Sequence, residues 1–216
     1  MNSDPPGPPD LAGIAAQLAE HGYAIIPHFL PLATGDSLVE EIQELWTNGV
    51  YRAAAVGRGE STQVRSEIRS DFVHWLIPAS LTIPQQSYWS LMEELRESLN
   101  RTLYLGLFCY EAHLACYPPG ASYQAHLDRH RESEARVISA IVYLNRDWTK
   151  EDGGELRFYL DDTLGIEGPY IDIVPEFGQL VLFLSGTFWH EVLPSRRERH
   201  SITGWYRRRD EVPGFL

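Results

Sequence analysis

RVISAIVYLN, residues 136–145, is rich in β-branched and aromatic side chains and runs into the turn signal Asn145-Arg146-Asp147, so it reads as a strand. Seven further segments after residue 105 share that composition: LFCYEAHLACY (107–117), YQAHLD (123–128), ELRFYL (155–160), YIDIVP (170–175), QLVLFL (179–184), FWHEVLP (188–194) and HSITGWYRR (200–208). Pro118-Pro119-Gly120, Asp152-Gly153-Gly154, Pro175 and Ser185-Gly186 punctuate them. Many short strands with no helical pattern between them predict an antiparallel sandwich or barrel.

Upstream the periodicity changes. Leu11, Ile14, Ala15 and Leu18 recur at helical spacing behind a candidate cap, Asp10, and His21-Gly22 stops that helix. GYAIIPHFL (22–30) reads as a short strand leaving through Pro27. Leu38, Ile42 and Leu45 mark a second helix before Asn48-Gly49, and Leu91, Leu95, Leu99 and Leu103 mark a third over roughly 85–104. These helices are expected to cover one face of the sheet. The polar, Gly-punctuated stretch 51–76 fits a loop or hairpin at the rim of a site. Residues 1–10 hold four prolines and read as a disordered tail, leaving one domain over 11–216 with helices up to 104 and a β core over about 105–210.

With 216 residues, 44% of them hydrophobic, the chain can bury a substantial core. Eighteen Lys and Arg against thirty Asp and Glu give a net charge of −12, which argues against a duplex nucleic-acid partner. The basic runs SRRERH (195–200) and YRRR (206–209) fit either a local basic groove or solvated strand ends on an acidic domain. Cys109 and Cys116 form neither a disulfide framework nor a CxxC pair. The start, MNSDPPGPPD, lacks a secretion signal, and LVLFL (180–184) is far too short to cross a bilayer. A soluble cytoplasmic protein with no membrane partner is expected. Nothing in the sequence speaks to oligomeric state.

In YQAHLD, His126 and Asp128 are two apart and so face one side of a strand. His190 occurs in another strand-like segment, FWHEVLP. Two imidazoles and one carboxylate make a complete facial set for an iron(II) centre with three open positions. Zinc fits less well, since a zinc site of that composition usually comes from a helical HExxH and none is present. Packed, hydrogen-bonded histidines satisfy the same spacing, and His21, His28, His74 and His113 stand beside no ligand-spaced acid. Arg199, nine residues after His190, lies in a segment whose alternation suits an antiparallel strand, with Thr203 and Trp205 on the same parity. A guanidinium beside an open iron site suits a small chelating diacid such as oxoglutarate.

CYPPGASYQAHLD (116–128), RVISAIVYLNRDW (136–148), DGGELRFY (152–159), DIVPEFGQLVLFLS (172–185) and HEVLPSRRERHSITGWY (190–206), in that order, resemble the iron- and oxoglutarate-dependent prolyl hydroxylases of the oxygen-sensing type, including their small bacterial relatives. The resemblance runs from GYAIIPHFL onward. It implies a double-stranded β-helix (jelly-roll) core, iron(II), 2-oxoglutarate and dioxygen, and ascorbate as a stimulant. His126, Asp128 and His190 would be the iron ligands, and Arg199 with Tyr143 would hold the distal carboxylate of oxoglutarate. Tyr117, Leu156, Thr203 and Trp205 would surround the cosubstrate. Tyr123 would stand beside the metal-binding strand, and Arg69 and Asp71 of RSEIRSDFVHWL (65–76) would face the substrate. The implied substrate is a prolyl residue of a protein, a translation elongation factor in the small bacterial relatives. Ala125 stands where the animal sensors have an arginine before the first iron histidine, and RHRESEAR (129–136) replaces their Gly- and Asn-rich loop, so the substrate is where this chain departs. The same chemistry on a ribosomal-protein proline, a free amino acid or another small metabolite is the nearest alternative. A non-enzymatic sheet-rich binding module is the alternative of a different class.

Overall fold

A computed structural model describes residues 9–55, 63–128 and 135–209. The elements run α1 (Leu11–His21), β1 (Tyr23–Ile26), α2 (Leu32–Thr47), β2 (Arg52–Ala53), β3 (Phe72–Trp75), α3 (Ile83–Leu103), β4 (Cys109–Tyr117), β5 (Tyr123–His126), β6 (Arg136–Tyr143), β7 (Leu156–Tyr159), β8 (Tyr170–Ile173), β9 (Leu180–Leu184), β10 (His190–Val192) and β11 (Arg199–Arg207). Two antiparallel sheets result, one in the order β1-β9-β6-β11-β4-β3-β2 and the other β5-β10-β7-β8. They make the expected jelly roll, and each of the eight segments read as strands contributes one. Most of the tail expected at 1–10 lies outside the described residues.

The large sheet is covered on both faces, which is why its central strands read as continuous apolar runs rather than alternating ones. In LVLFL, Leu180 and Leu182 turn toward the helices while Val181 and Phe183 turn toward the small sheet. β6 divides the same way, with Ile138, Ala140 and Val142 on the helix side and Ile141 and Tyr143 between the sheets. Ile14, Leu18, Leu38, Ile42, Leu95 and Leu99 supply the helical half of the outer core, as their spacing predicts, joined by Met92, while Leu91 and Leu103 are only partly buried against it. Each large aliphatic side chain buried there contributes roughly 1.5–3 kcal/mol relative to exposure.

Local chemistry sets the helix ends. Asp10 accepts from the Gly13 amide at 3.0 Å, and Gly22, at φ +76°, closes α1 by donating to the Leu18 carbonyl. α3 begins at Ile83, two residues before the expected start, because Thr82 and Gln85 form a capping box and Pro84 occupies the first turn. The segment 51–76, read as a loop or hairpin, carries two short strands: β2 pairs with β3, and β3 extends the large sheet by pairing with β4. β5 stops at His126, so Asp128 stands two residues past the strand end. His126 pairs with His190 across to β10, whose register shifts between His190 and Val192.

Gly204 in β11 lies against Tyr110 of β4, whose hydroxyl bonds Tyr88 of α3. A Cβ there would collide with the Tyr110 hydroxyl and approach the Glu111 carbonyl to 2.7 Å. Tyr110 cannot yield, because its hydroxyl bonds that of Tyr88 at 2.6 Å in a fully buried pair. Gly204→Ala should therefore lower unfolding free energy by about 1–3 kcal/mol, read as a reduced urea midpoint with unchanged slope.

Candidate active site

His126 ends β5, His190 begins β10, and the two strands pair, so the rings meet with centroids 4.3 Å apart. Asp128 comes back toward them from beyond β5: Oδ1 lies 3.7 Å from His126 Nε2, and Oδ2 lies 3.6 Å from His190 Nε2. Donor atoms of all three residues fall within 4.8 Å of one another. The sequence brought these three together on paper, and the fold brings them together in space.

The triad suits a divalent metal in its proton positions as well. Nδ1 of His126 bonds the Gln124 carbonyl at 2.8 Å, and Nδ1 of His190 bonds the Phe188 carbonyl at 3.1 Å. Each bond keeps a proton on Nδ1 and leaves the Nε2 lone pair aimed at the space shared with Asp128. Burial and the neighbouring His126 push the His190 imidazole down to about 4, against the pull of Asp128, so it is neutral at neutral pH. Burial alone would raise the Asp128 carboxyl. His190, His126 and the Ser139 hydroxyl together outweigh it and hold the group well below the usual carboxylate range.

Ser139 Oγ donates to Asp128 Oδ2 at 2.6 Å and lies 2.9 Å from Ser185 Oγ. Both serines are fully buried. The sequence reading passed over them, although a hydroxyl in the middle of RVISAIVY, a strand apolar on both faces, was the signal. Tyr123 stacks on His126 with centroids 3.6 Å apart and an interplanar angle of 16°.

At the other end of the site stands Arg199. Only 1% exposed, it donates from Nε to the Gly154 carbonyl at 2.8 Å and meets no carboxylate among the described residues. The rings of Tyr117 and Tyr143 flank its guanidinium at 5.1 and 5.0 Å. Burial pushes the Tyr143 phenol up to about 12 against the influence of Arg199, so it remains a protonated donor, and its oxygen is buried with no hydrogen-bond partner. Gly153 and Gly154 adopt φ of +70° and +71°. A Cβ on Gly154 would press on Ser195 Cβ at 2.8 Å and Arg199 Cδ at 3.2 Å. The pair read as a turn signal is thus the seat of Arg199.

A cavity of about 840 Å³ joins these parts, lined by Tyr117, Tyr123, Leu156, Thr203 and Trp205 as well as the triad and Arg199. Arg69 lines it and lies over Tyr123 at 4.4 Å, while Asp71, 1% exposed, stands behind and clamps Arg69 through two bonds of 2.8 and 2.6 Å. The far end holds residues that spacing did not single out: Trp75, Glu111, His113 and Arg136. His113 was set aside as a ligand, and it packs between Trp75 and Trp205 at 5.0 and 5.5 Å.

The family model of the 2OG-Fe(II) oxygenase superfamily matches residues 112–207. Human Egl nine homolog 1 is 31% identical over 93% of this chain and 47% of its own length. The human prolyl hydroxylase EGLN3 is 30% identical over 91% of this chain and 85% of its own. The chain spans about half the length of the Egl nine homolog 1 relatives. Among solved structures, a Pseudomonas putida prolyl-4-hydroxylase matches with a TM-score of 0.82 and 41% identity, covering 93% of this chain and all of its own. A Trichoplax adhaerens prolyl hydroxylase, solved with a hypoxia inducible factor oxygen degradation domain peptide fragment, matches with a TM-score of 0.80 and 27% identity over 91% of this chain and 88% of its own. The chain belongs to the 2OG-Fe(II) oxygenase superfamily and, within it, to the prolyl hydroxylases. Membership implies iron(II) on the His-Asp-His triad, with 2-oxoglutarate and dioxygen as co-substrates.

Ser139→Ala should remove the one neutral donor on Asp128 among the described residues and weaken iron(II) retention about 10- to 100-fold, measured by competitive metal titration. Burial, with Arg69 and Arg136 nearby, pushes the His113 imidazole down to about 4, whereas an unfolded histidine titrates near 6.5. The unfolded chain therefore binds the extra proton first, and the contribution of His113 is present above pH 6.5 and lost as pH falls toward 4. His113→Gln should make the stability loss between pH 7.5 and 5 smaller by about 2 kcal/mol in urea unfolding.

Proposed function

We propose that the protein hydroxylates a prolyl residue of a protein substrate with iron(II), 2-oxoglutarate and dioxygen. The observation that carries this reading is the buried guanidinium of Arg199, paired with no carboxylate among the described residues and opening into the same cavity as the triad. A buried cation without a counter-charge costs several kcal/mol, and a diacid whose far carboxylate reaches it removes that cost. Arg199 presents a planar fork, Gly154 fixes its stem, and the Tyr143 hydroxyl lies free to add a donor. When bound, iron(II) supplies the activation of dioxygen that lets an unactivated C–H bond be oxidised. The protein orients both ends of oxoglutarate, holds the Nδ1 of His126 and of His190 on backbone carbonyls so that Nε2 faces the centre, and shields the centre with Phe183, Leu156 and the stacked Tyr123.

The cavity continues past the triad to Trp75 and Glu111, giving room for an extended peptide rather than a free amino acid. A relative of similar fold was solved with a peptide fragment, which supports the same class of substrate here. A translation elongation factor, implied by the resemblance to small bacterial relatives, is the target to test first. Cys109 and Cys116 are free thiols, which suits a cytoplasmic setting.

Incubation with cell lysate, iron(II) and oxoglutarate should add one oxygen to a proline, mapped by peptide mass spectrometry. His126→Ala should abolish the product. Arg199→Ala should raise the oxoglutarate requirement at least ~30-fold, equivalent to the ~2 kcal/mol lost on leaving a buried charge unpaired. An unchanged oxoglutarate requirement in Arg199→Ala would remove the cosubstrate assignment.

A further inference from the structure

The charge of the cavity is opposite to the charge of the chain. Thirty acidic against eighteen basic residues make the protein strongly negative. Yet among the described residues five arginines and only two carboxylates, Asp128 and Glu111, line this space. Arg199 serves the cosubstrate end, Asp128 belongs to the triad, and Arg69 is neutralised from behind by Asp71. At the outer end Arg52 and Arg136 stand near Glu111, the one carboxylate there among the described residues, which also binds Arg207.

That carboxylate shows how an anion fits there. Glu111 accepts from Arg136 Nε at 2.9 Å through Oε1 and from Arg207 Nη1 at 2.9 Å through Oε2. With Nε held by Glu111, the guanidinium of Arg136 lies over the Trp205 ring, its Cζ 3.6 Å from the centroid, and Arg136 lines the cavity with its terminal amino groups not engaged by Glu111. Arg52 sits at the exposed edge of β2 with no acidic partner among the described residues. Trp205 pairs across β11 with Ser139, the residue that holds Asp128, so the Arg136 guanidinium lies close to the level of the triad. Arg136 itself begins β6, three residues before Ser139, about 10 Å of strand.

We propose that this outer groove selects for negative charge: the target is an extended acidic peptide segment whose carboxylates lie within about three residues of the prolyl ring and are received by Arg136 and Arg52. The inference rests on the prolyl hydroxylase reading for the place of the proline, and it specifies the substrate class of that site. Glu111 orders Arg136 in the empty groove and competes with the incoming carboxylate, so it sets how acidic a segment must be.

The test uses three fluorescein-labelled peptides around one central proline, with Glu, Gln or Lys at the second and third positions on both sides. Anisotropy is read on the iron(II)–oxoglutarate enzyme without oxygen. The Glu peptide should bind at least ~10-fold more tightly than the Gln peptide at low salt, with the gap narrowing as salt rises. Arg52→Glu, at an exposed position, should weaken the Glu peptide by ~5-fold or more while leaving the Gln peptide unchanged. Glu111→Gln should shift the preference further toward Glu. Equal binding of the three peptides, preference for Lys, or no binding of the Glu peptide overturns the proposal. Admission of oxygen separates the two readings. Equal hydroxylation of all three peptides removes the acidic selection and keeps the hydroxylase. Charge-selective binding with no oxygen transferred keeps the selection and removes the hydroxylase.

Discussion

A guanidinium buried between two sheets, with no carboxylate of the described chain to neutralise it, is the constraint around which the site is arranged. Left alone, such a charge destabilises the fold that contains it. It is held by a tight turn, Gly153-Gly154, that brings a backbone carbonyl to Nε and leaves no space for a Cβ. Tyr117 and Tyr143 close around it, and the unpartnered Tyr143 hydroxyl adds a second unmet polar group on the same spot. Two unmet groups converging in one buried place describe an anion's binding site more sharply than any single residue does.

The triad follows a complementary logic. Its members come from the end of one strand, the turn beyond it and the start of another, and each is oriented by a bond made behind it: Gln124 for His126, Ser139 for Asp128, Phe188 for His190. Gln124 and Ser139 lie on the sheets and Phe188 just before β10, so the jelly roll sets the geometry and the ligands need little rotameric freedom to keep it. The helices contribute at a distance. By covering the outer face of the large sheet they allow its strands to be apolar on both sides, and Gly204 against the Tyr88–Tyr110 pair fixes how closely they approach. The small sheet leaves the outer end of the large one uncovered, and that open end, with Trp75, Trp205 and Arg136, becomes the groove.

Much of the fold was legible along the chain because its signals are local. Asp10 before an apolar period, Gly22 after it, and turn residues between β-branched runs each act on neighbours within a few positions. The parity of Arg199, Thr203 and Trp205 was also local, since alternation follows from the pleat. Boundaries were less so: α3 starts early because of a side-chain cap, and β5 ends at His126 because β10 opposite it is only three residues long.

Residue types and spacing therefore determined the strands, the helices and the candidates His126, Asp128, His190 and Arg199, since period and chemistry are properties of the chain itself. Only the tertiary structure decided that Ser139 supports Asp128, that Gly154 seats Arg199, that Asp71 stands behind Arg69, and that Glu111 binds both Arg207 and the Arg136 that lies over Trp205. Most of those contacts join separate strands or turns, and even Arg69 and Asp71, two apart, meet only because the local backbone turns one behind the other. Which partner a buried polar group finds depends on sheet register and packing, and no local pattern carries that information.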